Sequence, residues 1–317
     1  MDFRNIKNKL LLSGLISIIL LTFLSLFLDI KEFKNLIYTF DYKWLPLILV
    51  MAPINYLFRF IKWHYYLRLT NINICIKDSI IIFFSGFSMT LTPGKIGEFL
   101  KTYMIKQKYN IPLSTTSPLV LTERLTDGIS MLILCAISLI DFQYGICPLI
   151  IISVFVILFI LIVQNRNLCL KCIALLEKSK KFKIFSGKLK NFYESTFILF
   201  KWKNLFYSVL IGIISWSFEG LVVYYALIAM GFYITPLSSI FAVSFSSIVG
   251  GISMLPGGLF AVEGSMLGIL ILMNLPKTVS VSVTMITRFS TLWLGVIIGM
   301  LSIVVASRDK FFVLSKK

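Results

Sequence analysis

Long apolar runs, rather than a two-residue alternation, dominate this chain. Windows of about 17–25 mostly apolar residues recur along it, and this is the length that a helix needs to cross a hydrocarbon core of ~30 Å. Because the alternation typical of membrane β-barrels is missing from the sequence, helices must satisfy the backbone hydrogen bonds in lipid. The pattern predicts an all-α polytopic membrane protein.

The apolar runs predict six full transmembrane helices and two re-entrant broken-helix hairpins. A Pro-Gly pair interrupts each hairpin, and the apolar pieces of the first hairpin, about 14 residues each, are too short to cross the membrane singly. The predicted full spans lie near 10–28, 44–66, 115–140, 148–164, 204–230 and 278–306, and the hairpins near 79–105 and 238–275.

The two interrupted segments look like one element used twice. A Gly-x-Ser-Met run precedes each Pro-Gly pair and an arginine follows it: Arg124 lies 31 positions after Pro93, and Arg288 lies 32 positions after Pro256. Breaks at corresponding positions in two halves indicate a transporter-type binding site. Because three full spans separate the breaks, we expect an inverted-topology repeat within one integral membrane domain, 1–317. Repeat one is 10–140, repeat two is 148–306, and a basic amphipathic cytoplasmic loop is 165–203.

The net charge of +17 indicates membrane orientation rather than a nucleic-acid partner. The basic residues lie between apolar helices and not in a soluble basic domain, so we expect no nucleic-acid binding. With the N-terminus placed in the cytoplasm, the inside segments hold 23 Lys and Arg residues and the outside segments hold 4. The positive-inside rule therefore places both termini in the cytoplasm, in a multi-pass protein of the cell membrane. The loop 165–203 is either a helix on the anionic leaflet or a solvated linker.

Nine charged residues fall within the predicted spans and hairpins, where each costs about 2.5–3.5 kcal/mol even on lenient insertion scales. A half-helix that follows a Pro-Gly pair offers unpaired N–H groups and a positive dipole end. Beside Lys95, Arg124 and Arg288, two such ends would form an anion site, with phosphate as the obvious candidate. The predicted substrate-binding residues are Arg59, Pro93, Gly94, Lys95, Glu98, Lys101, Glu123, Arg124, Asp127, Glu219, Pro256, Gly257, Gly258, Glu263 and Arg288.

These charges have a second interpretation, in which they only pair with one another and hold the halves together. Glu123 or Asp127 would then pair with Arg288, and Glu98 with Arg124. Glu219, at the middle of its span, is either a protonatable coupling group or a partner of Arg59. Five cysteines and a single histidine give no metal-ligand pattern, so we expect no metal and no cofactor.

Three motifs resemble, in this order, those of the lysylphosphatidylglycerol synthase transmembrane (flippase-like) family: Pro93-Gly94-x-x-Gly97-Glu98-x-x-Lys101, Glu123-Arg124-Leu125-x-Asp127 and Pro256-Gly257-Gly258-Leu259-x-x-x-Glu263-Gly264. The resemblance covers essentially the whole chain and implies inverted re-entrant repeats and movement of a lipid between leaflets. This sequence departs from the family at Phe260, where members tend to have a small residue. No synthase domain lies within the 317 residues, so we expect a stand-alone member without lipid-lysylation activity and not an enzyme.

The leading hypothesis is a lipid flippase or scramblase for an anionic, polar-headed lipid, either a phospholipid or a polyprenyl-phosphate-linked lipid. A secondary transporter of a small soluble anion and a non-transporting membrane scaffold are the alternatives. The expected partners are membrane lipids with an anionic headgroup, and a homo-oligomer is compatible with the sequence. An intramembrane enzyme would need a nucleophile–base pair or a metal site, and one histidine with scattered serines forms neither.

Overall fold

The computed structural model describes residues 30–139, 146–167, 169–171, 183–308 and residue 311, and these ranges contain helices and no strand. The predicted first span, 10–28, lies outside the described residues. The helices are α1 (Ile30–Thr39), α2 (Leu45–Leu69), α3 (Ile76–Phe87), α4 (Leu100–Tyr109), α5 (Leu113–Ser138), α6 (Ile146–Gln164), α7 (Lys183–Leu199), α8 (Trp202–Ala229), α9 (Pro236–Ile252), α10 (Ala261–Leu272), α11 (Lys277–Arg288) and α12 (Leu294–Arg308).

Three helical stretches in the described part are long and apolar enough to cross a membrane. They are Tyr42–Leu69, Trp202–Ala229 and Lys277–Arg308, the last continuing from α11 into α12 through a short π-helical turn. They match three of the spans that the apolar runs predict. The all-helical membrane class is therefore confirmed.

The long helices α2 and α8 pack against each other at the centre of the bundle. The amide of Asn55 donates to the carbonyl of Ser215 (2.8 Å), and the hydroxyl of Ser215 donates back to the carbonyl of Asn55 (3.1 Å). On the other side, α5 approaches α8 closely at Gly212, where an added Cβ would lie 2.2 Å from the hydroxyl oxygen of Ser130. Small residues and buried hydrogen bonds are the usual means of joining helices in lipid.

The helices α2 and α8 also end in the same way. The N–H of Ile72 donates to the carbonyl of Leu67 (2.8 Å), and the N–H of Phe232 donates to the carbonyl of Leu227 (2.9 Å), in each case across a left-handed residue. Such a cap satisfies carbonyls that a helix end would leave unpaired, and it turns the chain sharply. Each turn leads into a helix, α3 or α9, that ends a few residues before a Pro-Gly pair.

The two Pro-Gly breaks, residues 88–99 and residues 253–260, contact each other. Both proline–glycine pairs begin tight 3₁₀ turns, and Gly94 (φ 58°) and Gly257 (φ 62°) adopt the left-handed conformation that favours glycine. The N–H of Gly94 donates to the carbonyl of Met254 (3.1 Å), and the side chain of Leu91 lies against Gly257. The contact joins the first half of the chain to the second.

Neighbouring residues pack against the first break and join the helices on either side of it. The helix α12 crosses the end of α3 so closely that a Cβ added at Gly299 would lie 2.2 Å from the backbone nitrogen of Ser88. At the far ends of α3 and α4, Asp78 pairs with Lys108 (2.7 Å) and accepts a hydrogen bond from Tyr109. Burial, together with this hydrogen bond, raises the pKa of the Tyr109 hydroxyl to about 12, so the hydroxyl stays a donor at neutral pH.

Candidate functional site

A cavity of about 490 Å³ lies beside the contact between the two breaks. The volume is typical of a site for a small ligand. Gly94, Gly257 and Gly258 contribute to its wall from the breaks, and the aromatic rings of Tyr56 and Trp216 contribute from α2 and α8. Its charged lining residues are Arg59, Arg124, Asp127, Glu219 and Arg288.

Two arginines of the first half share three carboxylates. Arg124 donates to Glu98, and its guanidinium lies 3.8 Å from Glu123 Oε1 and 3.9 Å from Asp127 Oδ2. Arg59 lies 3.5 Å from Glu123 Oε1 and 3.9 Å from Asp127 Oδ2. Because Glu123 and Asp127 are one turn apart on α5, both carboxylates face the same arginines, as their spacing predicts.

The second half holds its arginine in a similar way. Arg288 Nε donates to Glu263 Oε1 (2.6 Å), and Arg288 Nη2 donates to the backbone carbonyl of Gly257 (3.0 Å). The break itself therefore orients Arg288. In each half a glutamate that follows the Pro-Gly pair binds the arginine that follows later in the chain.

The arginines reach the cavity, whereas most of their partners do not. The side chains of Arg124, Arg288 and Arg59 are 23%, 13% and 11% exposed. The exposed fraction is 2% or less for the carboxylates that hold them, Glu98, Glu123, Asp127 and Glu263. A ligand in the cavity can therefore reach these guanidinium groups, which bind phosphate or carboxylate oxygens in a bidentate fork.

Two lysines lie behind this layer and are fully enclosed by the bundle. Lys101 donates to Glu123 and lies 4.5 Å above the Trp63 ring, and Lys62 donates to Asp127. Lys62 was not among the predicted site residues, and the charge count assigned both lysines to cytoplasmic segments. The structure encloses both lysines within the bundle, where their exposed fractions are 0% and 1%. The signal was the three-residue spacing between Arg59 and Lys62, which puts both on one face of α2.

The structure brings most of the predicted residues together. Twelve of the fifteen take part in the contacts above or line the cavity: Arg59, Gly94, Glu98, Lys101, Glu123, Arg124, Asp127, Glu219, Gly257, Gly258, Glu263 and Arg288. The charge of Glu219 also acts on Arg59. Pro256 begins the second 3₁₀ turn. Pro93 begins the first, and the side chains of Pro93 and Lys95 lie outside the described part.

Two details of the predicted site are corrected. The pairing of Arg288 with Glu123 or Asp127 is wrong, because Arg288 binds Glu263; the pairing of Arg124 with Glu98 is confirmed. The half-helices do not begin at the Pro-Gly pairs: regular α-helix begins at Leu100 and Ala261. The N–H of Gly94 is used by the opposite break, so the arginines, rather than that backbone group, face a ligand.

Within the described ranges, no group of three or more His, Cys, Asp or Glu side chains is arranged to hold a metal ion. The carboxylates of the cavity instead face arginine and lysine. The site is therefore built from ion pairs.

Comparison with known sequences identifies the family. A family model described as the lysylphosphatidylglycerol synthase TM region matches residues 10–299. The chain belongs to this family. The resemblance that the three motifs carry is thereby confirmed.

Two archaeal membrane proteins are similar in sequence to this chain. A UPF0104 membrane protein of Methanocaldococcus jannaschii is 25% identical over 236 residues, which cover 70% of this chain and 95% of the relative. A UPF0104 membrane protein of Pyrococcus horikoshii is 27% identical over 290 residues, which cover 82% of this chain and 86% of the relative. Both names describe membrane proteins and state no activity.

Proposed function

We propose that this protein moves a lipid with an anionic polar headgroup, a phospholipid or a polyprenyl-phosphate-linked lipid, between the leaflets of the cell membrane. The observation that carries the proposal is the cavity at the meeting point of the breaks, where three arginines are partly exposed and the carboxylates that form ion pairs with them are almost fully buried. The cavity volume of about 490 Å³ lies within the usual range of ligand pockets. It would admit a headgroup while the acyl or prenyl tails stay in the bilayer.

The transport proposal includes the membrane topology. In it, the chain has six full spans and two re-entrant hairpins, and the repeats 10–140 and 148–306 are inverted relative to each other. The matched helix ends after α2 and α8 support this, as do the equivalent ion pairs Glu98–Arg124 and Glu263–Arg288. Inverted repeats around a central site permit one half to rock against the other.

The topology predicts that the starts of α3 and α9 lie on opposite sides of the membrane. Cys75, which is exposed immediately before α3, should react with an impermeant maleimide only from the cytoplasmic side when the other cysteines are replaced. In a cysteine-free background, Tyr233→Cys, at a residue 78% exposed before α9, should react only from outside. Trp202→Cys, at the end of the basic loop, is the control for the cytoplasmic side. Labelling of Cys75 and Tyr233→Cys from the same side would contradict the inverted repeat.

The transport claim is tested in proteoliposomes that contain fluorescent phosphatidylglycerol or fluorescent phosphatidylcholine. We expect the protein to move phosphatidylglycerol from the inner to the outer leaflet, where external dithionite can reach it, faster than it moves phosphatidylcholine. The reason is that only phosphatidylglycerol carries a net negative headgroup. Protein-free vesicles give the background rate. Equal, background-level rates for both lipids and for a polyprenyl-phosphate lipid would reject lipid translocation.

A small soluble anion is the second candidate, because the cavity volume also fits free phosphate. Uptake of radiolabelled phosphate into the same vesicles separates the two functions. Phosphate uptake without lipid translocation would identify a soluble-anion transporter. Neither activity, in a protein that still folds, would favour a scaffold.

A further inference from the structure

The wall of the cavity reaches the outer surface of the bundle on one side. The residues Ile252 and Met254 line the cavity and are 63% and 70% exposed, which is typical of a surface and not of a closed interior. Within the described ranges, the cavity-lining residues that are exposed are Gly94, Leu121, Gly251, Ile252, Met254 and Leu255. We call these six residues, which belong to α5, to the end of α9 and to the two breaks, the mouth of the cavity.

The mouth is apolar, whereas the site behind it is charged. Its residues are leucine, isoleucine, methionine and glycine, and none of the six has a polar side chain. The three arginines of the cavity lie deeper, since none of their side chains is more than 23% exposed. An opening that admits a free anion from water is usually lined by basic or polar groups, which replace the hydration of the ion. The mouth therefore suits a hydrocarbon chain better than a hydrated ion.

The exposed apolar surface continues from the mouth onto both breaks. Ile96, in the first break, is 68% exposed, and Phe260, at the end of the second, is 42% exposed. Phe260 (φ 68°) and Met254 (φ 54°) also adopt the left-handed backbone conformation, which is uncommon for residues that carry a side chain. Such conformations cluster at ligand-binding and active sites. Exposed apolar patches likewise mark membrane-binding or ligand-binding surfaces.

In the proposed topology the mouth lies at the depth of the hydrocarbon core. The helix α5 is one of the six spans, and Leu121 follows its first residue, Leu113, by eight positions. At 1.5 Å per residue this is about 12 Å along the helix axis. Because the hydrocarbon core is ~30 Å thick, a residue at this position faces acyl chains and not water.

The mouth also lies directly beside two of the arginines. Leu121 is three residues before Arg124 on α5, so the two side chains are neighbours on the helix surface. Leu255 is two residues before Gly257, whose backbone carbonyl accepts a hydrogen bond from Arg288. A phosphate held by both arginines would therefore have mouth residues from both halves of the chain next to it.

We propose that the mouth is the binding site for the hydrocarbon tail of the lipid, which leaves the cavity between α5 and the second break while the phosphate lies on the arginines. The identity of the headgroup rests on the proposed function, whereas the tail site requires only that the lipid binds. The arginines select for negative charge and the mouth selects for an apolar chain, so the site takes amphiphilic anions in preference to free ones.

Photochemical capture in the wild-type protein tests the tail site directly. The protein is reconstituted with trace phosphatidylglycerol or phosphatidylcholine that carries the same diazirine on its acyl chain, and after illumination the adducts are mapped by mass spectrometry. Leu301, on α12, is the internal control, because it is 63% exposed, as Ile252 is, but does not line the cavity.

We expect phosphatidylglycerol to label the mouth about tenfold or more above phosphatidylcholine, the factor that one charge-assisted hydrogen bond to the headgroup supplies. Both lipids should label the surface around Leu301 equally, and excess unlabelled phosphatidylglycerol should suppress labelling at the mouth alone. Equal labelling of the mouth by the two lipids would overturn the inference. So would the absence of lipid adducts there, the result expected if a second copy of the chain covers the mouth.

A matched pair of variants tests the tail site through transport. Ile252→Asn places an amide in the mouth, and Leu301→Asn makes a similar change at an equally exposed position on the outer surface. Ile252→Asn should raise the mole fraction of phosphatidylglycerol that gives half the maximal translocation rate by about tenfold, the order expected when a side chain of this size loses its apolar contact. The maximal rate should change little. Leu121→Asn, on α5, should behave like Ile252→Asn if both sides of the mouth hold the tail.

The two experiments separate the tail site from the proposed function. If the wild type translocates phosphatidylglycerol but Ile252→Asn and Leu301→Asn give the same half-maximal mole fraction, the tail site is wrong and the proposed function stands. If the wild type translocates no lipid, the proposed function fails, and the capture experiment alone decides whether the mouth binds a tail.

Discussion

Replacing Arg124 by alanine should reduce translocation of phosphatidylglycerol by about ten- to a hundredfold, the equivalent of one charge-assisted hydrogen bond of about 1.5–3 kcal/mol. Its guanidinium is the most exposed of the three that face the cavity. Arg124→Lys should restore little of the rate, because an ammonium cannot supply the two parallel donors of the guanidinium. The measurement is the dithionite assay described above.

The alanine variant also leaves Glu98 buried without its cation, so a loss of folding must be separated from a loss of binding. The double variant Arg124→Ala with Glu98→Gln removes the unpaired charge, and it should recover the stability of the wild type without recovering transport. Arg166→Ala, which breaks an exposed ion pair with Glu194, is the control and should transport normally. Normal rates in Arg124→Ala would show that Arg124 serves only to pair with Glu98.

Replacing Glu123 by alanine should destabilise the protein by about 3–5 kcal/mol, the typical effect of removing one member of a buried ion pair. Glu123 is completely buried. It forms an ion pair with Lys101, and the guanidinium groups of Arg59 and Arg124 lie within 4 Å of its carboxylate. Without Glu123, the ammonium of Lys101 remains enclosed against the Trp63 ring and loses its nearest carboxylate. The unfolding temperature in detergent should fall accordingly.

The double variant Glu123→Gln with Lys101→Met tests the cause of this destabilisation. Because it removes both charges and keeps the volume, it should unfold closer to the wild type than Glu123→Ala does. Glu194→Ala breaks a surface pair instead and should cost about 0–1 kcal/mol. If the double variant is as unstable as Glu123→Ala, the loss of stability comes from altered packing and not from the unpaired charge of the lysine.

The sequence predicted those parts of the fold that depend on local pattern. Apolar run lengths located the long helices, and each Pro-Gly pair marked an actual break, where the glycine adopts the left-handed conformation. Proline alone was not sufficient, because Pro53 lies within α2 and Pro118 lies within α5. The similar spacing from Pro93 to Arg124 and from Pro256 to Arg288 placed an arginine in the same site from each half.

The parts that the sequence missed depend on contacts between distant segments. Nothing local indicates that the first break donates its Gly94 N–H to the second, so the backbone was expected to serve the ligand. Lys62 lies near a helix end, where a lysine usually extends its ammonium to the interface. Only the position of Asp127 on α5 shows that this lysine points inward.

The most direct measurement of the central claim is a cryo-electron microscopy map of the protein in nanodiscs of phosphatidylglycerol. The account predicts density for a phosphate within hydrogen-bond distance of Arg124 and Arg288, continuous with a tail that leaves the cavity between helices. A map in which side chains fill the cavity and lipid density is confined to the outer surface of the bundle would contradict it.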